Sequence, residues 1–98
     1  MQPYLVRYTA EFMDDLIRSY EWGVEMWGIE LANQWYNELN DSLETRLSSM
    51  PRSCPPAPES REVKNVRQLL LGRYRVLFTI SGNYVRVLHL RGLYSGPG

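Results

Sequence analysis

Arg73-Tyr74-Arg75-Val76-Leu77-Phe78-Thr79-Ile80, then Ser81-Gly82-Asn83, then Tyr84-Val85-Arg86-Val87-Leu88-His89-Leu90-Arg91 is the stretch that decides the fold class. In its first run Tyr74, Val76, Phe78 and Ile80 alternate with Arg75, Leu77 and Thr79, the period of a strand with one wet and one dry face. Ser81-Gly82-Asn83 is turn chemistry, so the second run folds back as a hairpin partner. Upstream, Val63 to Leu70 reads as a further strand, with Gly72 as the turn that joins it to the hairpin. Gly92 ends the last strand, and Leu93 to Gly98 is a short Gly/Pro-ended tail.

Moving towards the amino terminus, residues 51–60 hold four of the six prolines. Proline fixes φ and removes a donor, so this segment is expected to be an extended connection rather than an element. Before it, Leu31, Ala32, Trp35, Tyr36, Leu39, Leu43, Leu47 and Met50 make an apolar stripe along a helix from Ile29 to Ser49, which Pro51 stops. A preceding helix carries Phe12, Met13, Leu16, Ile17, Tyr20 and Val24 at helical spacing. Thr9 is placed to cap it, and Gly23 and Gly28 bring it to an end near Glu25 to Trp27. So short a connection folds the two helices into an antiparallel hairpin. Tyr4 to Tyr8 opens the chain as a short strand. The predicted order is β-α-α-β-β-β, an α+β fold with a helical hairpin on one face of a mostly antiparallel four-stranded sheet, in one domain over 1–98.

Eleven basic and eleven acidic residues cancel to zero, but they are not mixed. Residues 1–50 carry three basic and nine acidic groups, a net −6, and residues 51–98 carry eight and two, a net +6. Such asymmetry between halves points to an interaction surface. Arg67, Arg73, Arg75, Arg86 and Arg91 fall on or beside the last three strands. With helices on one side, they are expected on the other face or at the edges, because a buried unpaired guanidinium is costly. Guanidinium forks suit phosphates and carboxylates, so nucleic acid and an acidic protein segment are both fitting partners. The lone Cys54 and lone His89 exclude a disulfide framework and a Cys/His metal cluster. No apolar run exceeds three residues, so no membrane span is expected, and Met1 to Tyr8 lacks the pattern of a secretory signal. The expectation is a small soluble cytoplasmic protein without cofactor or metal. His89 is the one side chain that titrates near neutrality when unperturbed. Tyr94, just past the last strand, is a candidate proton donor or base-stacking ring. Asp14 and Asp15 are adjacent on a helix and do not face each other as a carboxylate dyad.

Order, spacing and length together resemble toxins of the RelE/ParE superfamily, also called plasmid-stabilisation proteins. The resemblance is carried by Tyr20-Glu21-Trp22, by Ala32-Asn33-Gln34-Trp35-Tyr36, by Met50-Pro51 with Cys54-Pro55 and Ala57-Pro58-Glu59, and most of all by Val66 to Ile80 and Val85 to Gly92. It implies the same β-α-α-β-β-β fold, a toxin of a type II toxin–antitoxin module, and an acidic cognate antitoxin that wraps it. Lys64, Arg67, Arg73, Arg75, Arg86 and Arg91 are then the residues expected to meet antitoxin or nucleic acid. RelE-like members cut messenger RNA on the ribosome, whereas ParE-like members poison DNA gyrase without hydrolysis. Arg75 matches the strand arginine that contacts phosphate in the nucleases, with His89 or Tyr94 as proton-transfer candidates in that case. The nucleases usually carry a lysine-rich second strand and a basic, tyrosine-bearing end; here Lys64 is the only lysine and the end is Leu93-Tyr94-Ser95-Gly96-Pro97-Gly98. The resemblance therefore leans to the gyrase poison, with the ribosome-dependent endoribonuclease second and an inactive toxin-like interaction module third. A homodimer stays open.

Overall fold

A computed structural model describes residues 3–92. The chain runs β1 (Leu5–Tyr8), α1 (Ala10–Trp27), α2 (Ile29–Ser49), two short 3-10 turns (Pro51–Ser53 and Pro58–Arg61), β2 (Arg67–Leu71), β3 (Tyr74–Ser81) and β4 (Tyr84–Gly92). The strand order across the sheet is β1-β4-β3-β2. β2 and β3 and then β3 and β4 pair antiparallel, while β1 joins β4 in parallel, with Leu5 opposite Tyr84 and Tyr8 opposite Val87. The sheet is thus mixed, its first and last strands side by side.

Local chemistry explains each junction. The Thr9 hydroxyl accepts from the Phe12 N–H at 3.1 Å and donates to the Val87 carbonyl at 2.9 Å, so one side chain caps α1 and pins it to β4. α1 passes straight through Gly23, where a Cβ would stand 3.0 Å from the Trp27 ring. That glycine makes room for packing and does not end the helix. Gly28 ends it, at φ 94°, a conformation that favours glycine, and this one residue links α1 to α2. Gly82 turns the β3–β4 hairpin at φ 60°.

The main core lies between the helices and one sheet face. Phe12, Leu16, Leu39, Leu43 and Leu47 from the helices meet Leu69, Val76, Phe78, Val85, Val87 and Leu90 from the strands. An aromatic chain, Trp22–Trp27–Trp35–Tyr74, runs from the hairpin tip to the sheet with ring centroids 5.4, 6.4 and 5.2 Å apart. The predicted stripes are wider than the buried ones, since Met13, Ile17, Leu31 and Met50 are exposed.

Two expectations need correction. The strand read from Val63 starts too early: β2 begins at Arg67, because Asn65 takes φ 64° and interrupts the extended backbone. Residues 51–60 are not an extended crossing either. They coil into the two 3-10 turns: the first stays on the helix side, with Cys54 in the main core, and the second lies over the sheet face away from the helices, held by the Pro56–Arg67 bridge and by the Ala57 N–H on the Val66 carbonyl. Ala57 and Val66 bury Leu77 in a second small core beside Leu88.

Candidate functional site

The alternation of β3 and β4 sends Arg75, Thr79 and Arg86 to the face away from the helices, and β1 adds Arg7 there, in register with Arg86. A bulge interrupts the register between Leu77 and Phe78. Opposite it β4 carries one extra residue, and such a bulge re-aims the side chains around it. Leu88 joins Leu77, while His89 meets α1 at the β4 edge left open where β1 stops.

The basic residues fall into separate groups rather than one continuous surface. Arg75 is clasped by Glu59 of the second 3-10 turn: Nη2 donates to Oε2 at 2.8 Å and Nη1 to Oε1 at 3.2 Å, and Nη1 also donates to Gln68 at 3.0 Å. Arg91, directly opposite Arg75 in register, stands 4.0 Å from the same carboxylate. The hydrogen bond from Arg75 holds the Glu59 carboxyl at a pKa of about 2, against the partial burial that would raise it. Arg75 is correspondingly held more firmly protonated, first by that bond.

Arg67 departs from the expected face. It lies opposite Phe78, whose ring is in the core, so its side chain is on the helix side of the sheet. There it donates to the Cys54 carbonyl at 2.7 Å and the Arg52 carbonyl at 3.1 Å, which satisfies a half-buried cation with backbone oxygens. Lys64 and Arg67 share a hollow with Arg52, Ser60 and Asn65. Arg73 sits exposed at the turn between β2 and β3. Arg86 and Arg7 line another hollow with Thr79, Ser81 and Tyr84.

His89 is not joined to the Arg75 group by any hydrogen bond. Its Nδ1 is 3.0 Å from Asp15 Oδ2, and the same oxygen accepts from the Leu90 N–H at 3.1 Å. Arg18 closes on Asp15 Oδ1 at 2.6 Å. Asp15 acts as the clasp between α1 and β4. Tyr94 lies outside the described residues. Among the described residues no cluster of His, Cys, Asp and Glu could hold a metal ion, and no helix is long and apolar enough to cross a membrane. Burial pushes the Cys54 thiol up, away from the thiolate that would make it reactive.

Sequence reasoning missed Glu59, Asp15 and Arg7. Arg7 had a signal, since it alternates with Val6 and Tyr8 and so faces away from the helices. The other two are joined to their partners only through the bulge and the returning 3-10 turn.

The family described as ParE toxin of the type II toxin–antitoxin system matches residues 6–92, almost the whole described fold. The chain belongs to the ParE toxin family. It is the toxin component of a type II toxin–antitoxin system. Among solved structures, one of the chromosomal ParDE toxin–antitoxin system of P. aeruginosa superposes with a TM-score of 0.79 at 20% identity, covering 93% of this chain and 97% of that one. The RelBE2 toxin–antitoxin complex of Mycobacterium tuberculosis gives 0.68 at 21% identity, covering 94% of this chain and 93% of that one. Both are likenesses of fold. Among curated proteins, none matches the chain in sequence.

Glu59 gives the site a pH signature. Its carboxyl titrates near 4.5 when unperturbed and at about 2 in the folded protein. Between those values the unfolded chain binds more protons, so stability rises with pH. The contribution is complete above about pH 4.5 and fades as pH falls towards 2. Glu59→Gln is expected to lower the urea midpoint at neutral pH and to shrink the difference between midpoints at pH 7 and pH 3. An unchanged difference would show that the Glu59–Arg75 pair adds nothing to the fold.

Proposed function

We propose that this toxin arrests growth as a non-hydrolytic poison of DNA gyrase and is neutralised by an acidic cognate antitoxin. The observation that carries the reading is the occupancy of Arg75. A phosphodiester-cutting site needs that guanidinium free to hold the phosphate in flight. Here a carboxylate of the same chain already takes it through two hydrogen bonds, with Gln68 as a third partner. A phosphate would have to displace Glu59 and leave that carboxylate with Arg91, 4.0 Å away, in place of its two hydrogen bonds from Arg75. His89, the residue best suited to move a proton, is held by Asp15 of α1 and has no hydrogen bond to the Arg75 group. An antitoxin is supported on other grounds. The family is the toxin half of a two-protein module, and the cations of the strand half give acidic side chains groups to meet.

Inducible expression with and without the antitoxin gene, followed by transcript mapping and a gyrase assay on supercoiled plasmid, tests this. The expected result is growth arrest with intact messages and trapped gyrase–DNA cleavage complexes. Arg75→Ala should arrest growth as the parent does, once equal soluble yield is shown. In-frame cuts in translated messages that vanish in Arg75→Ala would overturn the reading in favour of the ribosome-dependent nuclease. No arrest from folded protein would leave the interaction module.

A further inference from the structure

The hollow at the β1–β4 end of the outer sheet face has no part in the Glu59–Arg75 group. Arg7 and Arg86 sit directly opposite each other on adjacent strands. Strand spacing puts their backbones about 4.8 Å apart. Two like charges in register oppose folding rather than favour it. Neither makes an ion pair within 4.0 Å to any described carboxylate, in contrast to Arg18, Arg75 and Arg91. Both side chains are exposed. Thr79 lies opposite Arg86 on β3 and adds a hydroxyl to the same row.

The next row, about 7 Å further along the strands, holds Leu5, Tyr84 and Ser81 in register. Tyr84 is 46% exposed and Leu5 is 45% exposed, so a ring lies open on the sheet beside the arginines. The rim is formed by Thr9, Ala10 and Glu11 at the start of α1, a helix of 18 residues. Thr9 occupies the Phe12 N–H, and the Ala10 and Glu11 N–H groups are left at the positive end of the helix. Glu11 is the one carboxylate in the lining and is the group a bound anion must avoid.

We infer that this trough binds single-stranded nucleic acid, with Arg7 and Arg86 on the phosphates and Tyr84 stacked under a base. An acidic polypeptide would use the guanidiniums, but an open ring one row from paired cations also matches the spacing of base and phosphate along a nucleic-acid strand. A free small molecule is normally enclosed, whereas this trough lies on an open sheet next to the sheet edge at β1. Paired cations in one row and a stacking ring in the next are what a strand crossing an open sheet needs. The inference does not depend on gyrase being the target.

Fluorescence anisotropy with a labelled twelve-nucleotide oligothymidylate, over a range of salt, tests it. Binding is expected to weaken steeply with salt, and Arg7→Gln with Arg86→Gln should cut the slope of log affinity against log salt by about 1.4. Tyr84→Ala should weaken binding about tenfold, while Arg18→Gln on α1 should leave it unchanged. All four side chains are exposed, and circular dichroism melts verify that the variants stay folded. Absence of binding at low salt would overturn the inference, and so would binding that all these substitutions leave intact. Tighter binding of polyglutamate than of oligothymidylate at matched ionic strength would also overturn it, and would assign the trough to an acidic polypeptide. Tighter binding of duplex DNA would overturn it too, because paired bases do not open onto Tyr84.

Discussion

Phe78→Ala is expected to cost about 3–5 kcal/mol of folding stability, enough to leave the protein largely unfolded at growth temperature if its total is near the low end of about 5–15 kcal/mol. Phe78 is fully buried in β3, which has β2 on one side and β4 on the other. Its ring fills the space between the sheet and the leucines of α2, so truncation removes apolar contact and leaves a void that two flanking strands prevent from closing. In a domain of this size each kcal/mol moves the melting temperature by about 4–8 °C, so a drop of more than about 12 °C is expected in a thermal melt. Phe78→Leu, which keeps much of the volume, should cost less than half as much. Leu70→Ala on the neighbouring strand is the contrast: Leu70 is 53% exposed and its loss should stay within about 0.5 kcal/mol. A Phe78→Ala melt within a few degrees of the parent would mean that the ring does not hold the sheet to the helices.

Much of this architecture can be read without coordinates. The alternation of Tyr74, Val76, Phe78 and Ile80 against Arg75, Leu77 and Thr79 places the core face correctly, because a period of two leaves little choice when one face is wet. The stripes of Leu16, Leu39, Leu43 and Leu47 likewise identify the buried sides of the helices. What escaped was set by contacts distant in sequence. Nothing local says that β1 joins β4 in parallel, since that pairing spans almost the whole chain. The return of the proline-rich segment over the outer face had a faint sign in Leu77 and Leu88, two apolar residues on the side expected to be wet. A second small core was needed to cover them, and Ala57 and Val66 supply it. That return carries Glu59 to Arg75, and it turns a free cationic face into a partly neutralised one. The grouping of the arginines is therefore a property of the loop as much as of the strands. Arg67 makes the same point from the other side. Its place opposite Phe78 would bury a charge at a loss, and the Cys54 and Arg52 carbonyls, both from the returning segment, make it tolerable.

Asp15→Ala is expected to have the second largest effect, for a reason that its position on a polar stretch of helix conceals. One carboxylate oxygen serves both the Leu90 N–H and His89, and the other serves Arg18. Asp15 is only 16% exposed, so water cannot fully replace it, and the Leu90 N–H faces an edge that β1 does not reach. Removing the acceptor leaves a partly buried donor unpaired, at a cost of about 1–3 kcal/mol. Arg18 adds little to this, being a largely exposed partner of the ion pair. His89→Ala should cost less, because the histidine is 37% exposed and its loss still leaves the oxygen on Leu90. Amide hydrogen exchange separates the two roles. In Asp15→Ala the Leu90 amide should exchange at least about tenfold faster, while the Phe78 amide in the sheet centre should follow only the global change in stability. In His89→Ala the Leu90 amide should stay protected. Loss of protection at Leu90 in both variants would make the histidine the true clasp. Unchanged protection in Asp15→Ala would mean that α1 and β4 are held together by packing of Phe12 and Leu16 on Val87 and Leu90 alone.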